Sequence, residues 1–227
     1  TLSGINTYTG STTVSTGTLA ISNAAGLGGT AAGTTVANGA TLDLQGVAVG
    51  AEALTLNGGT LSTSTGTSSL AGTVTLGDNS TANVAGTQLT LSGVVSGVGY
   101  GLTKTGTGSL ALSGTNTYSG ANNINAGSVK AASAAALGTG AVAIGSTGVL
   151  DLTYNGTVSL GSSLSMSSGA AITNSANTSN LSVSGTSSLV GNINTAGNQT
   201  YTGAVTLSGN TTPVSYTHLT LPTNREV

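Results

Sequence analysis

The 227-residue chain is long enough for one or two ordinary domains, yet only 4% of its residues are charged and its formal net charge is −2. Phe, Trp and Cys are absent, so any core must come from Leu, Val, Ile, one Met and six Tyr, which disfavours a compact globule. Three Lys and Arg cannot make the cationic clusters that nucleic acid requires, and no run of about 20 apolar residues exists to span a bilayer as a helix. Disorder is the remaining outcome for so polar a chain, but it goes with high net charge, whereas abundant Thr and Val suit strands.

Residue 1 opens in mid-pattern with TLSGINTYTG, with no signal peptide ahead of it, so the expectation is an internal fragment of something longer. The first unit, 2–44, returns at 112–152. At an offset of 110, Leu2, Ser3, Gly4, Asn6, Thr7, Tyr8 and Gly10 meet identical residues at 112, 113, 114, 116, 117, 118 and 120. Gly17, Leu27 and Gly28 meet Gly127, Leu137 and Gly138. After a two-residue deletion, Leu42-Asp43-Leu44 meets Leu150-Asp151-Leu152. This is an internal repeat, with a further echo at Tyr201 in NQTYTG.

Within the repeat runs a finer rhythm of apolar-x-apolar triplets, among them Leu19-Ala20-Ile21, Leu54-Thr55-Leu56, Val74-Thr75-Leu76, Leu89-Thr90-Leu91, Leu110-Ala111-Leu112, Val142-Ala143-Ile144 and Leu181-Ser182-Val183. Period-two alternation puts both apolar members on one face. Each triplet is a short strand bounded by turns such as Asn57-Gly58-Gly59 or Gly77-Asp78-Asn79. A sandwich would need bulkier inner faces to fill a core about 10 Å thick. A parallel β-helix needs only ladders of Val, Leu, Ile, Ala and Thr, with cohesion from backbone hydrogen bonds along the axis. The expected fold is therefore all-β, a β-solenoid without caps over 1–212. At roughly 20 to 25 residues per coil it makes about nine or ten coils, a rod roughly 45 Å long at about 4.8 Å each.

Two pieces depart from the rhythm. The segment 131–137, AASAAAL, has helix propensity but is too short to hold a helix unaided, so it and the equivalent 22–27 are read as a compact bend or single turn. At the other end, 213–227 holds both prolines (Pro213, Pro222), the one His (His218) and the one Arg (Arg225). Its VSYTHLTLPT looks like a translated sequencing adapter, and the tail is expected to be artefactual and disordered.

The stretch 101–152 resembles the autotransporter-associated β-strand repeat, or passenger-associated transport repeat. The resemblance rests on Leu102-Thr103-Lys104-Thr105-Gly106-Thr107-Gly108, Leu110-Ala111-Leu112-Ser113-Gly114, Asn116-Thr117-Tyr118-Ser119-Gly120, Gly127, Leu137-Gly138 and Leu150-Asp151-Leu152. Together with 2–44 it covers about two-fifths of the chain. It implies a right-handed parallel β-helix from the passenger of a bacterial type V secreted protein, at the cell surface or secreted from a Gram-negative cell. It also implies an outer-membrane translocator barrel as partner, a role in passenger folding and export, and no catalytic residues at the repeat.

Candidate chemistry is thin. Asp43 and Asp151 occupy equivalent places but lie 108 residues apart, about five coils or roughly 24 Å. A glycosidase pair needs about 5–10 Å. Each Asp is read as the outward middle residue of its triplet, solvated or bonded to a turn. A Ser or Thr nucleophile lacks a base, since His218 is in the suspect tail. Lys104 is read as capping or screening a turn, and Tyr8, Tyr118 and Tyr201 as packing across a coil edge with the hydroxyl at the surface. Calcium repeats of the GGxGxD kind are absent, because Gly28-Gly29 leads into Thr30-Ala31-Ala32. Threonine-rich pieces such as 63–67 and 103–107 raise ice binding, which needs threonines in register on every coil, and their spacing along the sequence is irregular.

No catalytic, cofactor-binding or metal-ligating residue is assigned. The expected function is a non-catalytic stalk segment that aids export and folding and presents adhesive modules. A glycan- or protein-binding adhesin module comes second, and a polysaccharide-active enzyme third.

Overall fold

Alternation decides the local structure. In Leu54–Asn57 and Val74–Asp78 the apolar residues are buried and the threonine between them faces out. All the apolar-x-apolar triplets fall within strands, and every strand pairing is parallel. The computed structural model describes residues 1–215 and 219–220. Over these it is a parallel β-solenoid of about nine turns with no helix.

Each coil has three walls. Wall 1 stacks Thr12–Val14, Thr34–Val36, Leu54–Asn57, Val74–Asp78 and Val95–Ser96. Wall 2 stacks Thr18–Ile21, Thr41–Leu44, Thr60–Thr63, Ser80–Val84 and Leu102–Thr105. Wall 3 stacks Ala48–Val49, Thr67–Leu70, Gln88–Leu91 and Ser109–Leu112. Farther along, Asn122–Ala131 and Val142–Leu152 each run round the corner from wall 2 to wall 3, joining the two walls into one sheet. Coil length is not constant: in-register partners are 22 residues apart for Thr12 and Thr34, 20 for Thr34 and Leu54, 23 for Thr18 and Thr41, and 18 for Leu181 and Gln199.

The core is a set of inward ladders. Leu89, Leu110, Val129, Leu150, Ile172 and Ile193 stack on wall 3, every one buried. At about 1.5–3 kcal/mol per buried aliphatic side chain, such ladders stabilise the rod together with the axial hydrogen bonds. The turns are glycine-dependent in places. Gly58 has φ +77° in the expected Asn57-Gly58-Gly59 turn, a backbone that other L-residues rarely adopt. The expected Gly77-Asp78-Asn79 turn is tighter than the sequence implies, with strand through Asp78 and again from Ser80.

The solenoid does not stop at 212. The Val205–Ser215 strand pairs with Ser187–Thr195 through Ser215, and Leu219–Thr220 pairs with Gln199 and Thr200. Parallel pairing is made by the backbone, so the composition change at Pro213 does not end it. The rest of the expected tail, with His218, Pro222 and Arg225, lies outside the described residues.

Wall 1 changes character at the repeat. Its first sheet ends at Val95–Ser96, and a second sheet of Thr157–Leu160, Asn180–Val183 and Gln199–Tyr201 follows three coils later. Between them lie 113–121, which has no strand, and the bend at 132–141. The bend is a compact turn closed by its own bonds, Ala136 N–H to Ser133 O at 3.3 Å and Gly138 N–H to Ala135 O at 3.1 Å. The first copy behaves alike at 22–28, where Gly26 N–H donates to Asn23 O at 2.9 Å.

Candidate functional site

The residues that mark the repeat converge on this strand-free part of wall 1. Asn116 is buried and reaches both neighbouring coils. Its Oδ1 accepts from Val95 N–H below at 2.8 Å, and its Nδ2 donates to Ala136 O above at 2.6 Å. Tyr118 is fully buried; its hydroxyl donates to Asn122 Oδ1, and Asn122 Nδ2 donates to Leu137 O at 2.8 Å. Above this ring sits Gly138 at φ +60°, where a Cβ would come within 2.2 Å of Tyr118 O. Burial raises the Tyr118 phenol well above its ordinary 10.0, against the opposing hydrogen bond to Asn122.

This corrects the expectation that the recurrent tyrosines keep their hydroxyls at the surface. Tyr118 and Tyr201 are both buried, the latter bonded to Gln199 Oε1 at 3.2 Å. In the strand-free segment at Tyr118 no aliphatic triplet faces inward, and the ring occupies that space. Tyr8 alone is partly exposed, at 39%, with its hydroxyl paired to Thr12 Oγ1 at 2.7 Å.

Lys104 is the least expected core residue. It stands in an inward wall-2 ladder that reads Leu42, Leu61, Ala82, Lys104, Ile124, Ile144, Met166. Its ammonium reaches the corner and donates to Thr105 O at 2.7 Å, Gly106 O at 2.8 Å and Ala126 O at 3.1 Å. Three donors meet three carbonyls, the full capacity of the group. Lys104 does cap a turn, but from inside the rod, at 1% exposure. Burial lowers its pKa to about 8.

The two equivalent aspartates are clamps. Asp43 accepts from Ser64 N–H at 2.9 Å, Ser64 Oγ at 2.7 Å and Gln45 Nε2 at 3.1 Å. Asp151 accepts from Ser175 N–H at 2.9 Å, Ser175 Oγ at 2.6 Å and Thr173 Oγ1 at 3.2 Å. Each holds the serine two residues beyond its in-register partner in the next coil. Both are buried and turn-bonded rather than solvated. They also lie on different walls, Asp43 on wall 2 and Asp151 on wall 3, five coils and one wall apart. The sequence conceals the clamp because the serines follow at unequal spacings, 21 and 24 residues.

Glu52, to which the sequence gives no role, is buried beside wall 1. Its Oε1 accepts from Thr34 Oγ1 at 2.7 Å, and its Oε2 has no partner among the described residues. Lys130 donates to Gln88 Oε1 at 3.0 Å. Among the described residues no three His, Cys, Asp or Glu side chains group as a metal site. Among the described residues, Asp43, Glu52, Lys104, Lys130 and Asp151 each bond to another coil.

The outer surface is more regular than the sequence shows. On wall 2, Thr18, Thr41, Thr60, Thr81 and Thr103 stack in register, followed by Asn123. On wall 1, Thr13, Thr35, Thr55 and Thr75 do the same, followed by Ser96. Irregular spacing in sequence thus becomes regular spacing in space, because unequal turns absorb the difference. This removes the premise on which ice binding was set aside, although the threonine run is broken at Asn123.

The passenger-associated-transport-repeat family matches residues 1–21 and 102–131. Over 130 residues, 55% of the chain, the sequence is 42% identical to the Adhesin BmaC autotransporter of Brucella suis biovar 1 (strain 1330); the chain covers 3% of that relative's length. No solved structure matches. The matched residues are those that build the Asn–Tyr bracket and the lysine cap. The chain is thus a parallel β-solenoid with two segments that match the passenger-associated transport repeat, and over 55% of its length it is similar to part of an autotransporter adhesin.

Proposed function

We propose that this region is a non-catalytic stalk of an autotransporter passenger, which favours export and folding and holds adhesive parts away from a Gram-negative cell. The observation that carries the reading is where the chemically able side chains go. Lys104, Asn116, Asp43 and Asp151 each bond to the next coil along the axis. Groups committed to stacking are not free for acid–base work. Coil-on-coil addition suits a chain that folds as it emerges from a translocator barrel, because each coil contacts only its neighbours. The adhesin named among its relatives supports surface display. Small-angle scattering on the purified chain should give an elongated monomer about 45 Å long at about 4.8 Å per coil. A compact particle would end the stalk reading. Turnover of a polysaccharide or ester, abolished by Asp43→Asn or Asp151→Asn, would end the non-catalytic one.

A second reading, a binding module for surface glycans or proteins, is favoured by the wall-2 threonines. Thr41, Thr60 and Thr81 stand in register on the outer side of wall 2. A glycan array compared with a Thr41→Lys/Thr60→Lys/Thr81→Lys variant tests it. Signal lost in the variant supports a wall-2 site, and no signal in either leaves the stalk alone.

A further inference from the structure

Between Thr41 and Thr103 the coils are alike on wall 1 and on the outer face of wall 2. Leu54-Thr55-Leu56 stacks on Val74-Thr75-Leu76, and the wall-2 column places Thr on Thr from Thr18 to Thr103. If one coil were looped out and its neighbours closed up, the wall-1 contacts and the outer wall-2 contacts would be replaced by ones like them. Strand register is weakly specified when neighbouring strands look alike. We propose that the polar residues of the repeat are the register lock of the solenoid: they select which coil sits on which.

Three features meet the requirements of a lock. Lys104 stacks directly on Ala82, the smallest residue in a ladder otherwise of Leu, Ile and Met. Looping out one coil would set its long stem on Leu61 instead, a clash of two large side chains. Asn116 takes its hydrogen bond from Val95 N–H and gives one to Ala136 O, so it identifies the coil below and the coil above together. Tyr118 and Asn122 continue the reading to Leu137 O. All of these groups are buried, where an unmatched partner costs far more than a matched one returns. Buried polar groups of this kind select among similar packings even when apolar replacements would be as stable. The lock concerns the fold of this segment and stands whether or not the rod presents an adhesin.

The absence of cysteine makes the test direct. Thr81 and Thr103 are in-register neighbours on the outer face, at disulfide distance of about 4.8 Å. Thr60 and Thr103 are two coils apart, about 10 Å, beyond reach of a disulfide. In the full chain, a Thr81→Cys/Thr103→Cys pair should oxidise readily and a Thr60→Cys/Thr103→Cys pair should not. With Lys104→Met and Asn116→Val added, the rod should keep its β circular dichroism, at a melting temperature lowered by about 5–10 °C because buried partners are left unpaired. The Thr60→Cys/Thr103→Cys pair should then cross-link at least tenfold more. Lys104→Met alone should give a smaller rise in the same direction. Unchanged cross-linking in a folded variant overturns the lock. Loss of the fold in both variants overturns it too, since the groups would then supply stability rather than choice.

Discussion

The two copies of the repeat share their signature residues but not their surroundings. Asn6 and Asn116 both donate to the turn of the next coil, to Gly26 O at 2.7 Å and Ala136 O at 2.6 Å. Gly28 and Gly138 both take positive φ above the tyrosine carbonyl. Yet Thr12–Val14 of the first copy stacks on wall 1, while its counterpart within Asn122–Ala131 stacks on wall 2. The offset of 110 residues is five coils and one wall, so the second bracket is turned by a third of the circumference. Tyr8 is 39% exposed, whereas Tyr118 is fully buried. One motif thus stands in two environments, on different walls and with different burial of its tyrosine.

The widest contrast should come from removing the rings. Tyr118→Ala should cost about 3–5 kcal/mol in urea unfolding, as for a buried aromatic, and Tyr8→Ala under about 1 kcal/mol. Equal costs would mean that the two brackets are equally packed. Gly138→Ala comes next. It forces a side chain into φ +60° within 2.2 Å of Tyr118 O, for a loss of about 3 kcal/mol, against a smaller loss for Gly28→Ala over the more exposed Tyr8. The aspartates should erase the contrast. Asp43→Ala and Asp151→Ala each leave a serine N–H and hydroxyl without their acceptor, so both should lose a similar 1–3 kcal/mol, roughly, despite their different walls.

Alkaline pH separates the second copy from the first more gently. Burial lowers Lys104 from 10.5 to about 8, so between these values the unfolded chain binds more protons and stability should rise with pH. Tyr118 and Tyr201 are raised by burial, the latter from 10.0 to about 12. Above pH 10 the unfolded phenols ionise first, so that contribution is lost and stability should fall. Melting temperature against pH should therefore pass through a maximum near pH 10. Lys104→Met should flatten the rising limb, and Tyr118→Phe should make the falling limb shallower. A melting temperature that declines steadily from pH 8 would count against the buried lysine. The smallest effect is expected at the surface, where Val98→Ser, at a position 88% exposed, should stay within about 0.5 kcal/mol.

Much of the fold could be read before the structure because its signals are local. The triplet Leu54-Thr55-Leu56 alternates with period two whatever surrounds it, and it is a strand with both leucines buried. The bend is legible for the same reason, expected at 131–137 and found at 132–141, with Ala131 the end of a strand. The side chains of the site were less so. Tyr118 reads as an edge residue because nothing nearby in sequence says that wall 1 lacks strands there. The threonine column from Thr18 to Thr103 is invisible along the chain because coil length varies from one turn to the next. Lys104 reads as a turn cap, which it is, but its place over Ala82 comes from a residue 22 positions away.

The sequence alone therefore determined that this chain makes short strands with one apolar face, repeats itself, and lacks clustered acids, bases and cations. Those properties depend on residue type and on neighbours one or two positions away. Only the tertiary structure decided which wall each copy occupies, which tyrosine is buried, and that the aspartates are clamps between coils. Those depend on which strands pair from coil to coil, contacts between residues about 20 positions apart that turns of unequal length hide along the sequence.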